Sequence, residues 1–218
     1  MTLAIFDLDN TLIGGDSDNL WGQYLFDQGL VEAADFARKN DQFYEDYKSG
    51  TLDIDAYLRF ALAPLKGKPL AVLEEWHADF MRTIIQPIML PKAIALIAKH
   101  RALNHTLLII TATNVFITRP IASALGIEHL LACDAEIVDG LYTGKPTGVP
   151  SYREGKVTRL KAWLKQTGES FEGAYFYSDS HHDLALLERV AHPIAVDPDP
   201  TLRDHAEQKN WEILSLRD

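Results

Sequence analysis

The stretch Ala4-Ile-Phe-Asp-Leu-Asp-Asn-Thr-Leu12 decides the fold. It opens as a short apolar run and closes on two carboxylates, Asp7 and Asp9, spaced i and i+2. Such a run predicts a strand, and residues i and i+2 of a strand tend to share a side. In open α/β sheets, ligands bind outside the carboxyl ends of the strands. A carboxylate pair placed there suits one of three tasks: holding a divalent cation, attacking an electrophile, or shuttling a proton.

Beyond this strand, Gly14 and Gly15 permit a sharp turn. Residues 16–86 then read as mainly helical, with Leu20, Trp21, Tyr24, Leu25 and Tyr57, Leu58, Ala61, Leu62 at helical spacing. Gly50 and the Pro64 to Pro69 stretch divide the region into several helices. It is too long for a simple connection, so it predicts an inserted helical cap over 16–86, with residues 1–15 and 87–218 forming the core domain. The insertion carries 11 of the 21 aromatic residues: Trp21, Tyr24, Phe26, Phe36, Phe43, Tyr44, Tyr47, Tyr57, Phe60, Trp76 and Phe80. Most are expected to form the core of a small bundle, leaving one or two to line a pocket.

From Pro91 onward, helices and strands alternate. Helices are expected over about 92–101, from near Asn114, over 154–165, over 182–189 and over 201–208. Strands are expected over 106–111, 130–133, 174–177, 194–196 and 211–214, with a hairpin through Asp139-Gly140 and a Gly/Pro-rich loop from Gly144 to Pro150. This order gives an α/β fold: a Rossmann-like parallel sheet covered on both faces.

The net charge of −10 disfavours nucleic acid or an anionic membrane as partner, since both require a basic footprint. No apolar run reaches the roughly 18 residues of a membrane span. No signal-peptide pattern opens the chain, and the lone Cys133 has no disulfide partner. These features fit a cytoplasmic protein, as monomer or homodimer.

Four clusters fall at predicted strand ends or helix starts. They are Asp7 with Asp9, Thr111 with Thr113 and Asn114 just beyond, Lys156, and Asp179 with Asp183. Each alone has an ordinary structural explanation, such as a helix cap or a solvated surface charge. Their joint order suits phosphoryl transfer. Asp7 would attack phosphorus, and Asp9 would protonate the leaving alkoxide and then activate water. Mg²⁺ would take oxygen from Asp7, the Asp9 backbone carbonyl and Asp179, with Asp183 helping directly or through water. Lys156, the Thr111 hydroxyl and backbone N–H groups near Leu8 and Ala112 would stabilise the phosphoryl oxygens.

On these residues the chain resembles the haloacid dehalogenase (HAD) superfamily, mostly Mg²⁺-dependent phosphohydrolases. Asp7-Leu-Asp-Asn-Thr11 matches the first motif, Thr111 the second, Lys156 the third and Asp179-Ser-His-His-Asp183 the fourth. The resemblance implies the HAD fold, a C1-type cap and a phosphatase using an aspartyl-phosphate. The closer likeness is to the subfamily of phosphoserine phosphatases and HAD-type histidinol-phosphatases, supported by Gly14-Gly-Asp-Ser-Asp18 and His192-Pro-Ile-Ala-Val-Asp-Pro-Asp-Pro200. The second acid of the first motif favours ester hydrolysis. Thr111-Ala112-Thr113 and the serines and histidines of the fourth motif depart from the phosphoserine phosphatase pattern, and Asp16 stands where that enzyme carries a substrate-site Glu.

The insertion carries 13 acids against seven bases. An acidic cap favours a small phosphorylated metabolite with an amine and no carboxylate. Histidinol phosphate or another amino-alcohol phosphate is the expectation, with Asp16 at the amine and Ala112, Thr113 and Asn114 beside the substrate. Phosphoserine hydrolysis and a catalytically silent phospho-ligand binding protein are the alternatives. An EF-hand reading fails because Leu12 stands at the glycine position. A receiver domain would be shorter and carry its acceptor on a different strand from its acidic pair. His181 and His182 are expected to fill a first helical turn, and the other six histidines, scattered along the chain, suggest no metal site.

Overall fold

The computed structural model describes residues 2–31 and 33–217. Strand β1 (Leu3–Phe6) is fully buried, as expected for an apolar strand with cover on both faces. A helical segment follows: α1 (Ser17–Asp27), α2 (Ala33–Ser49), α3 (Ile54–Leu62), a 3₁₀ turn (Ala63–Leu65) and α4 (Leu70–Phe80). A π turn (Met81–Ile85) carries α4 into the short α5 (Gln86–Ile88). Asp16 and Asp53 cap α1 and α3 through their side chains, and Gly50, with φ of 76°, turns the chain after α2.

The remainder alternates: α6 (Pro91–Ala102), β2 (Thr106–Asn114), α7 (Val115–Ala124), β3 (His129–Val138), β4 (Leu141–Thr147) and α8 (Glu154–Thr167). Then come β5 (Tyr175–Ser178), a 3₁₀ turn (His181–Asp183), α9 (Leu184–Leu187), β6 (His192–Val196), α10 (Pro200–Lys209) and β7 (Glu212–Leu214). The seven strands form one sheet in the order β4-β3-β2-β1-β5-β6-β7. All pairings are parallel except β3 with β4. From β1, successive strands step one way through β2 and β3, and from β5 the other way through β6 and β7. Their carboxyl ends therefore open a crevice where the strand order reverses, the usual ligand position in such sheets.

Alternate residues of β1 feed two cores. Ala4 and Phe6 pack with Trp21, Leu25, Ile97 and Ile121 on one face. Leu3 and Ile5 pack with Val157, Leu160, Leu186 and Leu202 on the other. No helix among the described residues is long and apolar enough to cross a membrane.

Two local expectations need correction, and a third holds. The Gly/Pro stretch after Gly144 is not wholly a loop, because β4 extends through Thr147 with Ala135 opposite Pro146. A peripheral strand tolerates Gly and Pro because its outer edge needs no ladder donor. The Asp139-Gly140 turn does form a hairpin, with φ of 51° and 78° suited to a tight turn between antiparallel strands. The helix expected over 182–189 is a 3₁₀ turn followed by the four-residue α9.

Two packing details lead to measurable behaviour. Gly155 sits at the start of α8, where an added Cβ would lie 2.0 Å from the Pro150 carbonyl oxygen. His100 is buried, with Nε2 2.8 Å from the Tyr177 hydroxyl and Nδ1 2.8 Å from His105 Nδ1. Burial pushes the His100 imidazole down to about 4, with repulsion from His105 and Lys99 adding to it.

Gly155→Ala should force the Pro150 backbone aside and destabilise the fold by about 1–3 kcal/mol in urea denaturation. Because His100 stays neutral when folded, the unfolded chain binds the extra proton between pH 6.5 and about 4. Stability should be complete above that window and fall as pH drops through it. The urea midpoint of His100→Gln should fall less over the same range.

Candidate active site

The carboxyl ends of β1, β2 and β5, with the first turn of α8, converge on one pocket. Asp7 follows β1 directly, and its N–H donates to the Tyr177 carbonyl at 2.8 Å, extending the ladder one residue. Lys156 Nζ donates to Asp7 Oδ1 at 2.8 Å and also meets Asp183, at 2.7 Å from Oδ1 and 2.8 Å from Oδ2. Ser178 Oγ donates to Asp183 Oδ2 at 2.7 Å. Asp7, Lys156 and Asp183 are at most 5% exposed. Burial pushes the Asp7 carboxyl up to about 7; Lys156 works against that rise, and repulsion by Asp183 and Asp9 adds to it. Burial alone would discharge Lys156, but Asp183 and Asp7 outweigh it and hold the ammonium firmly protonated.

Asp9 has a different set of partners. Its Oδ1 accepts from the Ser17 N–H at 2.7 Å, and its Oδ2 from the hydroxyls of Thr113 at 2.8 Å and Thr111 at 3.4 Å. Burial and the nearby Asp16 push Asp9 up to about 6, while the Ser17 and Thr113 hydrogen bonds hold it down. Two acids two residues apart thus differ sharply: one is paired with an ammonium, the other is held by neutral donors. Asn10, with φ of 57°, turns the chain immediately after Asp9.

Asp179 follows β5. Thr11 Oγ1 donates to Asp179 Oδ1 at 3.3 Å and accepts the Asp179 N–H at 3.1 Å. Burial, then repulsion from Asp7 and Asp183, pushes Asp179 well above the ordinary carboxylate range. Asp7 and Asp179 are therefore hard-oxygen donors under electrostatic stress that a bound dication would relieve. Among the described residues no group of three or more His, Cys, Asp or Glu side chains could hold a metal. The hard-oxygen side chains that could hold Mg²⁺ are Asp7 and Asp179, and a backbone carbonyl such as that of Asp9, with water, would have to complete the shell. Asp183 does not suit direct ligation, since Lys156 and Ser178 engage its oxygens. The Asp9 side chain is likewise committed elsewhere.

The other expected site residues divide. Ala112 and Thr113 line the pocket with Thr111. The Thr111 hydroxyl faces Asp9 and accepts the Thr113 N–H at 3.2 Å, so part of its capacity is spent within the protein. Asn114 is not brought to the pocket. It is 1% exposed and caps α7, its Oδ1 accepting from the Ile117 N–H at 3.3 Å. A polar residue just past a strand end is equally suited to capping the next helix, and here the cap won. Asp16 lines the pocket, but its Oδ1 accepts the N–H groups of Asp18 at 3.0 Å and Asn19 at 2.8 Å as the α1 cap.

The helical segment supplies the rest of the pocket. Phe43, Tyr44, Tyr47 and Tyr57 all line it, more than the one or two aromatics expected, together with Asp18 and Asn40. The lining holds four carboxylates (Asp7, Asp9, Asp16 and Asp18) and one ammonium, Lys156. Contacts beside the pocket join the end of α2 to the core. His182 Nε2 lies 2.7 Å from the Tyr47 carbonyl, so that ring nitrogen is the donor, and Arg153 Nη2 donates to the Gly50 carbonyl at 2.8 Å. Burial pushes His182 down to about 4, keeping it neutral. His182 thus does more than fill a helical turn.

Ser17 and Asp18, read only as part of the Gly14–Asp18 stretch, and Ser178, read only as a departure in the fourth motif, were given no role at the site from the sequence. Ser178 precedes Asp179 at the end of β5, a position that offered a signal, whereas Ser17 acts through its backbone and offered none.

The description "haloacid dehalogenase-like hydrolase" matches residues 4–188. A histidinol-phosphatase of Neisseria meningitidis serogroup C (strain 8013) is 45% identical over 219 residues, covering 99% of each chain. A solved protein of unknown function from Bordetella pertussis Tohama I superposes with a TM-score of 0.93 at 41% identity, covering 99% of this chain and 100% of that one. A substrate-bound phosphoserine phosphatase shares the fold, with a TM-score of 0.71 at 17% identity over 99% of this chain and 93% of that one. The order of acids, hydroxyl and ammonium, the sheet that gathers them and these likenesses agree: the chain belongs to the haloacid dehalogenase-like hydrolase family.

Proposed function

We propose that this protein is a Mg²⁺-dependent phosphomonoester hydrolase acting on a small phosphorylated metabolite through an aspartyl-phosphate. The observation that carries the reading is the division of partners between Asp7, paired with Lys156, and Asp9, held by Ser17 and Thr113. In this reading residues 16–86 serve as a cap over a core formed by 1–15 and 87–218.

The Asp7 carboxylate oxygen not held by Lys156 attacks phosphorus, and the bond from phosphorus to the ester oxygen breaks. The leaving alkoxide takes its proton from the Asp9 carboxylic acid. Asp9, now a carboxylate, accepts a proton from water as that water attacks the acyl phosphate. Inorganic phosphate leaves and Asp7 is restored. A carboxyl raised to about 6 suits both halves of the exchange, since it can give and take a proton near neutrality. Lys156 holds Asp7 in place and adds positive charge beside the phosphoryl group. Mg²⁺, when bound, would neutralise phosphoryl charge and orient the ester for in-line attack. Closure of the helical segment over the pocket would exclude bulk water and large substrates.

The favoured substrate is histidinol phosphate or a related amino-alcohol phosphate. The relative at 45% identity is named a histidinol-phosphatase. The pocket chemistry supports the same class: the lining carries four carboxylates and a single ammonium, which already serves Asp7 and Asp183. The carboxylate of phosphoserine would meet no free cation among the described lining residues, and leaving it unpaired would be costly.

Asp7→Asn should lower hydrolysis of any accepted phosphomonoester by ~10³-fold or more, the scale of removing a covalent nucleophile. Acid quenching with labelled substrate should trap a phosphoenzyme in the wild type and none in Asp7→Asn. Chelation should abolish turnover, and added Mg²⁺ should restore it. In a panel of small esters, kcat/KM for histidinol phosphate should exceed that for phosphoserine at least ~10-fold, about one unpaired charge's worth of discrimination. The reverse order would reject the amino-alcohol assignment.

A further inference from the structure

Asp18 is a buried acid that the reaction described above does not use. It lies in the first turn of α1, 5% exposed, and lines the same pocket as Asp7 and Asp9. Both of its carboxylate oxygens are buried, and neither has a hydrogen-bond partner. A buried carboxylate with no partner is strongly unfavourable, so such groups are normally paired. The positive end of α1 favours an acid at this position but gives it no hydrogen bond, because Asp16 accepts the Asp18 and Asn19 N–H groups. The Asn19 side-chain amide beside it is also without a partner, and Phe43, Tyr44 and Tyr57 line the same space.

We propose that Asp18 is the specificity-determining residue of this site, binding the protonated amine or imidazolium of the substrate within the aromatic walls of the pocket. The inference rests on the phosphatase reading for its substrate and adds the residue that selects it. An ammonium or imidazolium would supply the donors that both Asp18 oxygens lack. The faces of neighbouring aromatic rings attract such cations as well. Burial, with Asp16 next, holds Asp18 well above the ordinary carboxylate range; the nearby Tyr57 phenol works against that rise but misses hydrogen-bond geometry. A cation arriving with the ester would reverse that stress, so the free enzyme would carry strain that the correct substrate releases. Asp16, half spent as a helix cap, is the weaker candidate for this role.

The test compares wild type with Asp18→Asn in three measurements: turnover of histidinol phosphate against glycerol phosphate, melting temperature, and the melting shift produced by histidinol alone. In Asp18→Asn the ratio of kcat/KM for histidinol phosphate to that for glycerol phosphate should fall at least ~10-fold, mainly through KM. Free Asp18→Asn should melt no lower than wild type, because no hydrogen bond to the Asp18 oxygens is lost when the buried carboxyl becomes an amide. Histidinol should raise the melting temperature of wild type and leave Asp18→Asn unmoved. An unchanged ratio overturns the proposal, as does a destabilised or unfolded Asp18→Asn, since either leaves Asp18 with a merely structural role. Should wild type hydrolyse neither ester, the phosphatase reading falls by itself. The histidinol shift then decides the subsite: present in wild type and lost in Asp18→Asn upholds it, and any other pattern overturns it.

Discussion

The structure depends on one buried ammonium. Lys156 lies between Asp7 and Asp183, and all three are shielded from water. Such a triad is not a source of stability in itself, because desolvating three charges costs about as much as their attraction returns. Its consequence is geometric. It ties the end of β1, the first turn of α8 and the turn after β5 to one point, and removing the ammonium would strand two buried carboxylates. Everything near it serves that point. The missing side chain at Gly155 lets the Pro150 carbonyl approach, and the Ser178 hydroxyl takes up one of the Asp183 oxygens.

Beside the triad, Asp9 has a separate polar environment. Asp7 and Asp9 share a motif and a pocket, yet an ion pair governs one and neutral donors the other. Burial raises both acids, and what differs is the compensation. In the proposed reaction, that contrast would let one carboxyl act as nucleophile and the other as proton carrier. Across the pocket, the helical segment contributes acids and aromatic rings but no free cation among its described lining residues. The one ammonium of the lining, Lys156, therefore stands on the sheet side, and the helical side offers acids and aromatic rings. Contacts from His182 and Arg153 to the backbone at Tyr47 and Gly50 join the end of α2 to the core.

Much of this was legible in the chain. The apolar run before Asp7 predicted β1, and the alternation after Pro91 predicted a parallel sheet, because periodicity and turn residues act locally. The errors share a cause. Pro146 read as a loop breaker because a sequence does not say that a strand lies at the sheet's edge. Asn114 read as a site residue because a helix cap and a ligand contact use the same polar side chain at the same strand end. Four aromatics reached the pocket, rather than one or two, because helical spacing fixes which residues share a face and leaves open what that face meets.

The chain by itself determined the strand that carries Asp7, the order of acids, hydroxyl and ammonium along it, and the class of fold, since these follow from local pattern and chemical type. Only the tertiary structure decided which acid Lys156 would neutralise, which would rest on Thr113 and Ser17, and which, Asp18, would be buried with no partner. Partner choice among like residues is set by distances of a few ångströms between segments far apart in sequence, and no spacing along the chain encodes them.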